Sequence, residues 1–167
     1  MAAIAEAAPA CAPVKFDGNY FTVCRFDVGR DRIELFWRDG QKQAFGGFRQ
    51  LQRYLADQGK ELPFAMNAGM YNDKLAPIGL YVEGGKSLKS ANRRNGPGNF
   101  HLKPNGVFYM AGGKAGVAET GAFLKSGIKP RIASQSGPML VIGGKLHPRF
   151  LKNSTSFKRR NGVGVKD

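Results

Sequence analysis

Several things are scarce in this 167-residue chain, and each scarcity excludes something. No apolar run reaches the length of a membrane-spanning helix, so no transmembrane segment is expected. Cysteine occurs twice, as Cys11 and Cys24, and histidine twice, as His101 and His147. The cysteine spacing is too wide for a zinc Cys-x-x-Cys pair, and only the two histidines could complete such a site. No metal site is expected, and no cofactor. The cysteines flank Phe16-Asp17-Gly18-Asn19-Tyr20, which reads as a turn between two extended pieces. A hairpin there would bring the sulfurs within bonding reach, which points to a disulfide and an oxidising compartment. Two unpaired thiols are the alternative.

Acidic residues are scarce in one part of the chain. The first 73 residues hold nine of the twelve acids, while from Lys74 onward only Glu83, Glu119 and Asp167 are acidic. The formal net charge is +14, so the latter part presents a positive field that concentrates anions. Phosphate esters, acidic polysaccharide, a membrane surface or nucleic acid would suit it; a solvated surface that keeps the chain soluble is the plain alternative. No interleaving of aromatic and basic residues of the RNA-recognition kind is present, so no specific nucleic-acid partner is expected. Gly-x-Ser-x-Gly is missing around Ser136. The Gly84-Gly85-Lys86-Ser87 run lacks the first glycine of a phosphate-binding loop, since position 80 is leucine. Glu83 and Asp73 form no persuasive carboxylate pair of the kind an ordinary glycosidase uses.

Glycine is plentiful: 23 Gly and 9 Pro imply many turns, and 42% hydrophobic residues with 12 Phe imply a folded core. Residues 1–10 are alanine-rich and resemble the small-residue region near an export cleavage site, so they are set apart from a domain over residues 11–167. Strands are expected at Val14–Phe16, Tyr20–Asp27, Arg32–Trp37, Phe64–Asn67, Pro77–Val82, Val107–Met110, Val117–Thr120, Arg131–Gln135 and Met139–Ile142. Phe48, Leu51, Tyr54 and Leu55 stand at helical spacing, with Gly59 as the stop. Thr120–Leu124 is ambiguous and could be a helical turn. Lys152–Arg160 reads as a basic loop. Val163-Gly164-Val165 reads as the entry to a strand, so the chain is expected to be an incomplete domain. The fold class expected is α+β: a mixed, twisted sheet with few helices and its motif loops gathered at one end.

Four blocks combine strand-like residues with Asn, Gly or Pro: Phe64–Tyr71, Gly96–Phe100, Gln135–Val141 and Arg160–Val165. Glycine is entropically costly in a strand unless the backbone turns sharply or is closely approached. The blocks therefore read either as hairpin turns or as strand ends converging on a polar site. Asn67, Asn99, Asn105, Gln135 and Asn161 both donate and accept hydrogen bonds, as sugar hydroxyls do; each alone is also an ordinary turn residue. Gly69 and Ser136 complete the candidate substrate contacts. Ser136 is read as a contact or a turn residue, with a nucleophile the lesser reading. Arg160, beside Lys158 and Arg159, is the best anion clamp, because a guanidinium grips phosphate with two parallel bonds. Arg93-Arg94 is a second candidate, more simply a solvated loop. His147 is the acid/base candidate, although a lone histidine is commonly structural.

Taken in order, these blocks resemble the phosphodiester glycosidase domain family, most closely its bacterial exported branch. The resemblance is carried by Met66–Tyr71, Pro77–Tyr81, Gly98-Asn99-Phe100, Pro104–Tyr109, Gln135–Val141, His147-Pro148, Arg160–Gly164 and the early cysteine pair. It implies hydrolysis of a sugar-1-phosphodiester to sugar and phosphomonoester, in the periplasm or outside the cell. Arg160 would hold phosphate, and Asn67, Gln135 and Asn161 would orient the substrate. The family continues past the Arg-Asn-Gly-Val-Gly strand to a Leu-Asp-Gly-Gly-like motif, so a site-forming carboxylate is expected beyond this chain. A non-catalytic module that binds acidic or phosphorylated glycans is the alternative.

Overall fold

Two-residue turns explain much of the glycine. Asp17-Gly18, Gly84-Gly85, Gly112-Gly113 and Gly143-Gly144 all have positive φ at both positions. That conformation matches the twist of the strands it joins, and glycine adopts it without steric cost. Each turn closes an antiparallel hairpin. The computed structural model describes residues 2–5, 10–151, 153, 154 and 158–166, giving backbone alone for residues 2–5. The expected leader-proximal segment and the basic loop over 152–160 therefore lie partly outside the described residues. The chain divides into two compact units, residues 1–68 and 69–167.

The first unit contains strands β1 (Ala2–Ala5), β2 (Ala10–Phe16), β3 (Asn19–Arg25) and β4 (Glu34–Phe36), helix α1 (Phe48–Ala56) and strand β5 (Phe64–Asn67). β2 and β3 pair with Cys11 opposite Cys24, and these two form a disulfide. The expected pairing thus follows from register, since residues directly opposite in an antiparallel pair have close Cβ atoms. β1 lies between β4 and β5, so part of the alanine-rich segment is a strand. Leu51 and Leu55 of α1 are buried against Phe36, Phe45, Tyr54, Leu62 and Ala65. Gly59, at φ 71°, ends the helix, and Lys60 N–H closes back on the Leu55 carbonyl at 2.9 Å.

The second unit is built on strands β6 (Tyr81–Glu83), β7 (Lys86–Lys89), β8 (Gly106–Ala111), β9 (Lys114–Glu119) and β10 (Ile132–Ser136). Their order in the sheet is β7-β6-β10-β8-β9. A 3₁₀ turn over Asn99–His101, a short helix α2 (Thr120–Lys125) and the hairpin β11 (Val141–Ile142) and β12 (Lys145–Leu146) complete it. The ambiguous 120–124 stretch is thus helical. The strand expected at 163–165 is not formed: residues 158–166 carry neither helix nor strand. Strand-rich structure with few helices is as expected, and every pairing between named strands is antiparallel.

β10 is the central strand, and Ile132, Ala133, Ser134 and Gln135 are all buried. Ala133 packs with Leu80, Val82, Val107 and Phe123. Gln135 lies two residues on, on the same face, where an apolar side chain would be expected. Its amide is instead fully bonded. Oε1 accepts the backbone N–H of Leu80 and of Asn92, both at 2.9 Å. Nε2 donates to the Asn92 carbonyl at 2.8 Å and to Thr120 Oγ1 at 3.3 Å. The Thr120 hydroxyl donates to Asn105 Oδ1 at 2.8 Å, and Asn105 Nδ2 donates to the Phe100 carbonyl at 3.2 Å. One buried network therefore ties β6, the 90–98 loop, the 3₁₀ turn, the start of β8 and α2 to the central strand.

Replacing Gln135 by Leu keeps the bulk and strands two N–H groups and a carbonyl. The expected loss is on the order of 3 kcal/mol, because each unpaired buried group costs about 1 kcal/mol or more. Chemical denaturation of the variant checks it, and a loss below about 1 kcal/mol would mean that water replaces the amide. A smaller effect is expected at Glu119, whose side chain caps α2 by accepting from Ala122 N–H. The Gly121 N–H, then that of Ala122, with Arg93 and Lys125 adding charge, hold its carboxyl below the ordinary glutamate value against a desolvation that opposes them. A depressed folded pKa adds stability above the unfolded value and loses it as pH falls through the folded one. Glu119→Gln should therefore cost about 0.5 kcal/mol at neutral pH after solvent screening, and nothing in acid below the glutamate range. Thermal melts of both proteins across pH 7 to 3 would show the two curves converge.

Candidate functional site

The site is built where the central strand ends. Ser136, the last residue of β10, is exposed and stands opposite Gly106. Gly137 follows, and its backbone lies against the 3₁₀ turn: a Cβ there would stand 2.5 Å from the Phe100 carbonyl oxygen and 2.9 Å from that of Asn99. No side chain fits such a gap without moving backbone. Gly79 is enclosed in the same way, with Gln135 Oε1 at 2.5 Å and Phe100 Cζ at 2.7 Å from its would-be Cβ. Gly162 lies beside Leu140, whose Cδ1 is 3.6 Å from the corresponding position. Three of the four blocks, 96–100, 135–141 and 160–165, therefore meet within the second unit. Gly96 and Gly137 in these blocks serve close approach, Gly98 serves a backbone bend at φ 82°, and hairpin duty falls to other glycines.

The candidate side chains divide by burial. Asn99 and Ser136 are exposed beside the Gly137 contact. Arg160 and Asn161 are exposed in the 158–166 segment, with Arg160 Nη1 donating to the Lys158 carbonyl at 3.1 Å. Gly69 opens the second unit at φ 74°. Asn67 is the exposed last residue of β5 in the first unit. Gln135 and Asn105 are placed otherwise than a substrate contact requires. They are 1% and 2% exposed and their amides are spent on the internal network.

His147 is likewise enclosed, at 2% exposure. Nε2 donates to the Lys103 carbonyl at 3.2 Å, and Nδ1 accepts the Arg149 N–H at 3.2 Å. A carbonyl can only accept, so Nε2 carries the proton, and both nitrogens are occupied. The ring holds the β11–β12 hairpin to the 103–104 segment. Proton transfer by His147 would require breaking one of these bonds. His101 was passed over because a sequence does not tell which histidine is enclosed. Its Nδ1 donates to the Arg94 carbonyl at 3.0 Å, and the residue is half-buried.

Charge around the site is mostly positive. Lys103 Nζ donates to the Arg93 carbonyl at 2.5 Å, drawing a third cation to the loop that bears Arg93 and Arg94. Two carboxylates of the sheet are committed. Glu119 caps α2, and Glu83 accepts from the buried Tyr81 hydroxyl at 2.8 Å. Burial, reinforced by the Glu83 charge and that hydrogen bond, pushes the Tyr81 phenol well above the ordinary tyrosine range. Among the described residues no group of three His, Cys, Asp or Glu is arranged to hold a metal ion. No described helix is long and apolar enough to cross a membrane.

Comparison with known proteins gives this geometry a context. A protein of Escherichia coli (strain K12) described as "Uncharacterized protein YigE" is 40% identical over 135 residues, which make up 81% of this chain and 52% of that protein. The chain thus spans about half the length of the curated relative it matches. No solved structure shows significant similarity to it. The phosphodiester glycosidase family matches residues 60–167, a stretch that takes in all of the second unit and the three converging blocks. On that match the chain belongs to the phosphodiester glycosidase family.

Proposed function

We propose that this chain contributes to a hydrolase of sugar-1-phosphodiesters that works in the cell envelope, releasing the sugar and a phosphomonoester. The observation that carries the reading is the meeting of three blocks at the end of the central strand, in a chain of this family. Asn99 and Ser136 offer exposed hydrogen-bonding groups there, suited to sugar hydroxyls. Arg160 is the phosphate clamp in this reading, with Asn161 beside it and Gly69 as a further contact. Gln135 supports the site from beneath and does not touch substrate. The Cys11–Cys24 disulfide supports an oxidising compartment, periplasmic or extracellular.

A second reading is favoured by one observation: Glu83 and Glu119 are both engaged within the fold. A module that binds acidic or phosphorylated glycans needs no free carboxylate. The two readings separate on a panel of chromogenic sugar-1-phosphodiesters, assayed with this chain and with the longer Escherichia coli relative. The hydrolase reading expects turnover, and Arg160→Ala in the active protein should lower kcat/KM on the order of 100-fold, as loss of one charge-stabilising donor does. Unchanged kcat/KM would remove Arg160 from the site. Saturable binding by both proteins with turnover by neither would favour the binding module.

A further inference from the structure

We infer that His101, through its Nε2, is the proton-accepting group of the site; this rests on the hydrolase reading above. The chain has two histidines, and His147 has both nitrogens committed. His101 is arranged differently. Its Nδ1 faces the Arg94 carbonyl, which can only accept, so the proton resides on Nδ1 and the neutral ring keeps its lone pair on Nε2. No protein group among the described residues bonds Nε2. The ring is fixed from two sides, by the Nδ1 bond and by edge-on packing on Phe100, with centroids 5.1 Å apart at 83°. Phe100 is itself 2% exposed, with its carbonyl against Gly137. An oriented imidazole with one bonded and one open nitrogen is what a proton-transfer residue requires.

Gly96 lets the ring lie against the loop. A Cβ at position 96 would stand 2.9 Å from His101 Cδ2, 3.0 Å from Nε2 and 3.1 Å from Cγ, over the face of the ring. Any side chain there would push the ring away from its Arg94 bond. The glycine has no positive φ to account for it, so the close approach to His101 is its distinguishing constraint. Asn99 directly precedes the Phe100–His101 pair, and Ser136 directly precedes Gly137, whose backbone lies against Phe100. The loop that orients the ring also carries Arg93 and Arg94, with Lys103 bonded to it. Their charge favours an anionic phosphodiester close to Nε2.

In the step this supports, the Nε2 lone pair takes a proton from water as the water oxygen bonds to the anomeric carbon. The bond from that carbon to the phosphate oxygen breaks, and its electron pair leaves with the phosphomonoester. The imidazolium then returns its proton to solvent. The leaving phosphate needs no proton at neutral pH, so one open nitrogen suffices.

Two measurements test this. Carbethoxylation by diethyl pyrocarbonate, mapped by peptide mass spectrometry on the intact chain, should modify His101 and spare His147. A sugar 1-phosphate, with α-D-glucose 1-phosphate as the first probe of a small panel, should slow that labelling at least tenfold. Labelling that no sugar 1-phosphate slows, or that falls on His147 as fast, would overturn the assignment whatever the turnover. In the protein that turns over the phosphodiester panel, His101→Asn keeps a donor for the Arg94 carbonyl but has no basic atom at Nε2. It should lower kcat on the order of 100-fold with KM little changed, and Gly96→Ala should behave alike. Unchanged kcat in His101→Asn would overturn the inference and leave the hydrolase reading standing. No turnover by the unsubstituted proteins, with labelling still protected, would overturn the hydrolase reading and the proton-transfer role together, leaving Nε2 as a contact to a bound anion.

Discussion

A buried glutamine amide organises the second unit. Gln135 stands on the central strand at a position whose neighbours on the same face are apolar, and all its hydrogen-bonding capacity is used by the backbone of Leu80 and Asn92 and by Thr120. A buried amide is costly when unpaired and strongly directional when paired. Its four bonds therefore fix where β6 enters, where the 90–98 loop turns back and where α2 begins. Through Thr120 and Asn105 the same constraint reaches the Phe100 carbonyl, against which Gly137 packs. The exposed groups at the strand end are placed by this network beneath them.

The parts of the fold that were legible are those set by local chemistry. Abundant glycine implied turns, and the Gly-Gly pairs close hairpins because few other residues adopt positive φ twice in succession. Leu51 and Leu55 announced the buried face of α1, and Gly59 its end. The cysteine pair was legible for the same reason, because the turn between them fixes the register that sets them opposite one another. The division after residue 68 was not legible: no proline-, glycine- or serine-rich linker marks it. Nor was the absence of a strand at 163–165, where the local pattern invites one and the described structure pairs it with nothing.

The site was legible as a set of segments and much less as a set of side chains. Glycines with no turn to make pointed to close approach, and Gly137 shows it for two of the blocks by its fit against Phe100. Which amides face the ligand did not follow. Gln135 and Ser136 are neighbours in sequence, yet one is enclosed and the other exposed, since successive strand residues face opposite ways and the strand ends with Ser136. Asn99 and Asn105 are both followed by structured segments and both read as turn residues; only tertiary packing buries the second. The two histidines make the point most sharply. They differ in burial and in whether the second nitrogen finds a backbone partner.

The distribution of charge bears on the chemistry. A glycosidase that works by a carboxylate pair needs both acids free and facing the sugar. In the second unit Glu83 is bonded to Tyr81, Glu119 is bonded to the start of α2, and each is held there by an interaction that protonation would weaken. Cations, by contrast, gather on the loop around the open imidazole. A phosphodiester is a substrate that makes such an arrangement sufficient. Its leaving group departs as an anion that needs no acid, and the positive field that attracts the substrate also stabilises the charge that builds on that leaving group. What the reaction then asks of the protein is one base to activate water and a surface that holds phosphate. An imidazole with one nitrogen anchored is better suited to the first task than carboxylates committed elsewhere in the fold.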